Sequence, residues 1–161
     1  MPPNATLIPD IAARELGFTR VLRARRHAVW RCWTEPELIV QWFTPPPWKT
    51  VAAQMDLRPG GSSLIVMRGP DGQEVPNPGV YLDVVPDERL VFTDAFTRAW
   101  EPSNKAFMTG TLVFADEGRD TRYTVRVAHW SVEDREAHEE MGFQQGWGVA
   151  TDQLEALAAR L

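Results

Sequence analysis

Residues 131–161 read SVEDREAHEEMGFQQGWGVATDQLEALAARL and contain the one long helical pattern of this chain. In the second half of this stretch, apolar residues recur three or four positions apart, which places them on one face of an α-helix. The members of this stripe are Trp147, Ala150, Leu154, Leu157 and Leu161. Such a stripe needs an apolar surface to cover it, and most of the preceding chain has strand-like patterns. We therefore expect an α+β fold in which an antiparallel sheet wraps around a long C-terminal helix.

The start of the same stretch predicts a second, shorter helix. Ser131 and Asp134 have the spacing of a capping box, and the turn that follows is polar. Three glycines lie farther along, at Gly142, Gly146 and Gly148. Each costs about 1 kcal/mol in a helix relative to alanine, a cost that is tolerated where backbones approach closely or where the helix breaks. We expect a break near Met141 and Gly142 that separates a short exposed helix from the long packed one.

The preceding part of the chain predicts one strand, two short helices and then a meander of hairpins. Residues 16–24 alternate as a half-buried strand, and residues 27–43 give two short helical faces, with Thr34 placed to cap the second. Six strand candidates follow, at residues 51–57, 62–68, 80–85, 90–96, 106–115 and 121–129. The sheet should therefore have six or seven strands. Residues 1–15 are assigned to a flexible N-terminal arm and residues 16–161 to a single domain.

Composition excludes several classes of protein. The net charge of −5 would repel nucleic acids and anionic membranes, and no apolar run approaches the ~18 residues of a membrane span. Cys32 is the single cysteine, so no internal disulfide can form, and its aromatic neighbours predict an inert, buried thiol. We expect a cytoplasmic protein that binds neither nucleic acid nor membrane.

Metal and cofactor sites are not expected either. The three histidines, His27, His129 and His138, lie on three different predicted elements, and His138 lacks the second histidine of the zinc-protease pattern. The chain also has no glycine-rich phosphate loop. We therefore predict no metal and no cofactor.

The order of elements resembles the helix-grip fold of the START-like (SRPBCC) superfamily, and four motifs narrow the resemblance. They are VWRCWTEPEL at 29–38 with Trp42-Phe43, DLRPGG at 56–61, VVPDERLVF at 84–92, and Met141-Gly142 with Gly146-Trp147. Together they look like the family named after the activator of the heat-shock-protein-90 ATPase, in its stand-alone bacterial form. The resemblance implies a helix-grip fold and a cavity between sheet and helix, and it supplies no catalytic residues. The separate chaperone-binding domain of the eukaryotic activator is not expected in a chain of this length.

Strand alternation indicates which side chains point into such a cavity. Residues 123, 125, 127 and 129 share one strand face, as do 90, 92, 94 and 96 on another strand and 108, 110, 112 and 114 on a third. Aromatic residues beside the three consecutive prolines at 45–47 and at the start of the last helix could form the mouth of this cavity. The resulting ligand-binding candidates are Trp42, Trp48, Phe92, Asp94, Phe96, Met108, Tyr123, Val125, His129, Phe143 and Trp147. His129, Asp94 and Tyr81 are also weak acid–base candidates; alternatively, His129 and Asp94 lie at strand ends and bond to loops.

Three functions follow from this reading. The first is a protein that binds a small apolar, lipid-like or polyketide-like ligand without chemistry, and the sequence favours it because no nucleophile or supporting partner is visible. The second is a cyclase-like or hydrolase-like enzyme that uses the same cavity. The third is a module that interacts with a chaperone or another protein. The seven tryptophans could also serve a homodimer.

Overall fold

The structure is a computed structural model that describes residues 11–161. A short 3₁₀ helix, Ile11–Arg14, precedes the first strand, and helices and strands then follow in the predicted order, with one short hairpin at residues 96–102 that was not predicted. The strands are β1 (Glu15–Leu22), β2 (Lys49–Met55), β3 (Ser62–Arg68), β4 (Glu74–Val85), β5 (Arg89–Thr93), β6 (Phe96–Arg98), β7 (Glu101–Pro102), β8 (Met108–Glu117) and β9 (Asp120–His129). The helices are α1 (Arg26–Thr34), α2 (Pro36–Ile39), α3 (Val132–Glu140) and α4 (Phe143–Ala158).

Seven strands form one antiparallel sheet, in the order β1-β9-β8-β5-β4-β3-β2, and β6 pairs with β7 in a separate hairpin. The predicted α+β helix-grip fold is therefore confirmed, with the sheet packed against α4. Residues 27–43 give α1 and α2, as predicted. No helix in the described part of the chain is long and apolar enough to cross a membrane.

The apolar stripe of α4 packs into the core as its spacing predicts. Leu154 is completely buried, and Ala150 and Leu157 lie beside it. Leu161 is an exception, because α4 ends at Ala158 and leaves the leucine half exposed. The polar face of α4 is tied to β1, since the Arg20 guanidinium lies 2.8 Å from the Asp152 carboxylate.

The predicted helix break is also confirmed. The Ser131 hydroxyl oxygen accepts a hydrogen bond from the Asp134 amide at 3.0 Å, which caps α3. Gly142 then adopts the left-handed conformation, with φ of +93°, between the end of α3 and the start of α4. Only glycine takes up this conformation at little cost, so its position fixes where the two helices separate.

Two details in the N-terminal part of the chain differ from the predictions. Thr34 does not cap α2, because it is still in the last turn of α1 and its hydroxyl donates to the Trp30 carbonyl at 2.8 Å; Glu35 occupies the cap position. Residues 11–15, predicted to belong to a flexible arm, form the 3₁₀ helix and the first residue of β1. The rest of that predicted arm, residues 1–10, lies outside the described residues.

Most strands lie within two residues of their predicted limits, and β4 and β5 differ by more. β4 begins at Glu74, well before the predicted start at residue 80, and this added part contains Pro76 and Pro78. Proline has no backbone N–H to donate, so it fits in a strand only where no partner needs that hydrogen bond. Pro76 and Pro78 meet this condition because their part of β4 pairs with β3 on one side, and pairing with β5 on the other side starts only at Val80. β5 in turn ends at Thr93, so the predicted strand 90–96 is too long.

Candidate functional site

A cavity of about 640 Å³ lies between α4 and the sheet, and aromatic rings form much of its wall. The lining residues come from α1, β3, β4, β5, β6, β8, α3 and α4 and from the loops between them. The aromatic lining residues are Trp33, Trp42, Phe43, Phe92, Phe143 and Trp147. Aliphatic and thioether groups from β3, including Ile65 and Met67, complete the apolar surface.

Trp33 is held in place by a hydrogen bond and by ring contacts. Its indole N–H donates to the Tyr123 hydroxyl at 3.1 Å, and Tyr123 is completely buried. The Trp33 ring is stacked on Phe92 and on Trp147, with centroid distances of 5.9 and 6.3 Å. Trp42 uses its indole N–H in the same way, donating to the Cys32 carbonyl at 2.9 Å. Both indoles thus satisfy their one polar group within the protein and leave carbon surface for the cavity.

The cavity also has a set of polar lining residues, which we call the polar region: Asp94, Ser103, Asn104, Lys105 and His138. The Asp94 carboxylate accepts hydrogen bonds from the amides of Phe107 and Met108, at 2.8 and 3.1 Å. This carboxylate therefore fixes the loop before β8. The Phe107 ring in turn contacts His138, with centroids 5.1 Å apart.

Two histidines from different elements are in contact, and one of them, His138, belongs to the polar region. His129, at the end of β9, is 1% exposed, and its Nε2 lies 2.9 Å from Nδ1 of His138 on α3. The Nδ1 of His129 lies 2.8 Å from the Arg14 carbonyl oxygen. Burial and the neighbouring His129 lower the pKa of His138 to about 4. Among residues 11–161, no group of three or more histidine, cysteine, aspartate or glutamate side chains is arranged to hold a metal ion.

Six of the predicted ligand-binding residues line the cavity: Trp42, Phe92, Asp94, Met108, Phe143 and Trp147. Tyr123, Val125 and His129 face inward as predicted and are fully buried, but they lie behind the lining residues. Trp48 is half-buried and is not part of the lining.

The prediction that Phe96 shares an inward face with Phe92 is wrong. Because β5 ends at Thr93, the alternation stops there, and Phe96 begins β6 and packs against Trp100 with centroids 5.7 Å apart. Asp94, just after the strand, lines the cavity while bonding to the loop before β8.

The predicted acid–base candidates are not brought together. Asp94 lines the cavity, His129 lies behind it, and Tyr81 is a buried core residue outside the lining. Burial raises the pKa of Tyr81 to about 12, which keeps its hydroxyl protonated. In the part of the chain that the structure describes, the hydrogen bonds of these three side chains go to other groups and not to one another.

Several lining residues were not found from the sequence. Ser63, Ile65 and Met67 alternate along β3, so the argument used for the other strands could have identified them. Pro76 and Pro78 were missed because their segment was not predicted as a strand. His138 lies on a polar helix, where no periodic signal indicates an inward side chain.

Comparison with known proteins supports the same fold. The sequence model of the family described as "Activator of Hsp90 ATPase homolog 1-like protein" matches residues 23–159. A solved protein from Nitrosomonas europaea is 39% identical, with a TM-score of 0.89 over 92% of this chain and 96% of that chain. A Rhodobacter sphaeroides protein is 22% identical, with a TM-score of 0.80 over 96% and 97% of the two chains. No curated protein matches the chain.

Proposed function

Since the chain belongs to the family of Activator of Hsp90 ATPase homolog 1-like proteins, we propose that it binds a small, largely apolar molecule between the sheet and α4. The observation that carries this proposal is the cavity of about 640 Å³ with its aromatic wall. Small-molecule sites in proteins typically measure about 300–1,000 Å³ and are lined mainly by hydrophobic and aromatic side chains with a few polar groups.

The fixed rings of the wall favour this function. Trp33 lies between Phe92 and Trp147 and is anchored through Tyr123, so a flat apolar ligand meets a surface that is already formed. Binding to a preformed surface avoids the entropy cost of ordering side chains. A cavity filled by the protein's own aromatic rings would instead favour an interaction module, and this cavity is open.

The experiment is a titration with N-phenyl-1-naphthylamine, an uncharged aromatic probe whose emission rises in apolar surroundings. Gly146 lines the cavity, and a Cβ built there meets no heavy atom within 4 Å. The substitution Gly146→Leu therefore places a side chain in the ligand space and should weaken probe binding at least about tenfold, equivalent to about 1.4 kcal/mol.

Gly148 provides the matched control. It lies on the same helix, a Cβ there also meets nothing within 4 Å, and it is not a lining residue. Gly148→Leu should leave probe affinity unchanged. Saturable binding that is lost in Gly146→Leu and kept in Gly148→Leu supports the proposal. No saturable binding to the unmodified protein, or equal loss in both variants, contradicts it.

A further inference from the structure

The two histidines and a backbone carbonyl form a hydrogen-bond chain whose direction is fixed at one end. The Arg14 carbonyl oxygen can only accept, so the proton of this bond is on Nδ1 of His129. In a neutral ring the Nε2 of His129 is then an acceptor. Its bond to His138, at 2.9 Å, therefore takes its proton from Nδ1 of His138.

The surroundings of the pair favour two neutral rings. His129 is 1% exposed, and an unpaired imidazolium at such a site would be costly. Among residues 11–161, the histidine within ion-pair distance of a carboxylate is His27, not His129 or His138. Arg14, which bonds to the His129 carbonyl, and Lys105, which lines the same cavity as His138, both oppose a positive ring. Asp94 lines this cavity too, but its carboxylate is bonded to the amides of Phe107 and Met108 and to neither histidine.

A neutral His138 with its proton on Nδ1 has a lone pair on Nε2. This nitrogen has no hydrogen-bond partner among the described residues, and it is not one of their buried unpartnered atoms, which are Arg14 Nε and Ser103 Oγ. It is thus an accessible acceptor on a side chain that lines the cavity.

We propose that Nε2 of His138 accepts a hydrogen bond from a hydroxyl group of the ligand, so that the ligand class is hydroxylated aromatic or alicyclic molecules. This inference rests on the proposed function and specifies the ligand for the same cavity. His129 acts as a positioning residue, because its acceptor nitrogen holds the proton of His138 on Nδ1. A ligand that offers only acceptors at this point, such as a ketone, an ether or a carboxylate, would bring its lone pair against the lone pair of Nε2, with no proton between them to form a hydrogen bond.

The tautomer can be tested without any ligand. Two-bond ¹H–¹⁵N spectra of the protein labelled with ¹⁵N-histidine should show a protonated Nδ1 and an unprotonated Nε2 for both His129 and His138 at neutral pH. A proton on Nε2 of His138 would overturn the inference, whatever the protein binds.

The ligand class is tested with 2-naphthol and its methyl ether, 2-methoxynaphthalene. The ether keeps the oxygen as an acceptor, for example toward Ser103, but it has no proton to donate. A hydrogen bond with a net value of about 0.5–1.5 kcal/mol predicts that 2-naphthol binds about two- to tenfold more tightly.

His138→Asn is the control variant. Its amide N–H can still donate toward His129, while the acceptor at the Nε2 position is lost, so the preference for 2-naphthol should disappear. Equal binding of both compounds to the unmodified protein would overturn the hydroxyl assignment and leave the proposed function standing. Failure of both compounds and of N-phenyl-1-naphthylamine to bind would overturn the proposed function and this inference with it.

Discussion

The imidazole of His138 makes the stability of the fold depend on pH. Burial and His129 lower its pKa to about 4, whereas an unfolded histidine titrates near ~6.5. Between these values the unfolded chain binds more protons, so the free energy of unfolding falls as the pH is lowered from about 6.5 to about 4. The full contribution of His138 to the free energy of unfolding is therefore present above about pH 6.5. Because the ring is half-buried, solvent screening reduces it to on the order of 1–2 kcal/mol.

Urea denaturation at pH 7 and pH 5 measures this effect directly. His138→Asn should reduce the loss of stability between the two pH values, and subtracting its profile removes the contribution of every ionisable group that both proteins share. An identical pH profile in the variant would show that His138 is not protonated preferentially in the unfolded chain.

Cys32 is expected to be chemically silent in the folded protein. Its side chain is fully buried, and burial raises the pKa of the thiol to about 11, outweighing the opposite effect of the neighbouring Arg31. Since the thiolate is the reactive form, a disulfide reagent such as 5,5′-dithiobis(2-nitrobenzoate) should react at pH 8 only as fast as the chain unfolds. In urea, where the chain is unfolded, one thiol per chain should react at once. Rapid reaction of the native protein, with none in Cys32→Ala, would contradict the buried site.

At the scale of the element, the glycines of α4 lower the stability of the helix. A Cβ at Gly146 or at Gly148 meets no heavy atom within 4 Å, so neither glycine is required by close packing. Gly146→Ala and Gly148→Ala should each raise the free energy of unfolding by about 0.5–1 kcal/mol, because alanine restricts the unfolded chain and favours the helix. Chemical denaturation of the single variants tests this.

Gly142 is the contrasting case on the same segment. Its φ of +93° is strained for any residue with a Cβ, so Gly142→Ala should destabilise the protein by about 1 kcal/mol or more. If Gly146→Ala destabilised the protein as much as Gly142→Ala, this would contradict the open space beside Gly146 on α4.

The same elements explain how far the sequence could predict the fold. The stripe of α4, the break at Gly142 and the alternation of β9 are local patterns, and each appears in the structure where it was expected, apart from Leu161 beyond the end of α4. The limits of β4 and β5 depend on partners far away in sequence: Pro76 is tolerated because β5 does not pair beside it, and β5 ends where Asp94 bonds to the amides of Phe107 and Met108. Such pairings leave no periodic signal in their own segments.

The lining residues on the strands could be predicted from the sequence as far as the alternation of each strand extends. It placed Phe92 and Met108 on the inward side and failed at Phe96, where β5 has already ended. The contact between His129 and His138 depends on how α3 packs across the end of β9, which no helical pattern in the polar segment indicates. Sequence reasoning therefore identified part of the apolar wall, including Phe92 and Trp147, and one histidine of the pair, and it missed the histidine that lines the cavity.

At the scale of the whole molecule, the proposed binding would make stability depend on the occupant of the cavity, because a ligand can contact both walls only when sheet and helix are assembled. A compound that binds the folded chain and not the unfolded chain stabilises it by an amount set by its concentration. At ten times its Kd, N-phenyl-1-naphthylamine should add about 1.4 kcal/mol, which raises Tm by about 3–6 °C for a chain of this size. Thermal unfolding followed by circular dichroism measures the shift. Gly146→Leu should lose it and Gly148→Leu should keep it, whereas an equal shift in both variants would place the probe somewhere other than the space between α4 and the sheet.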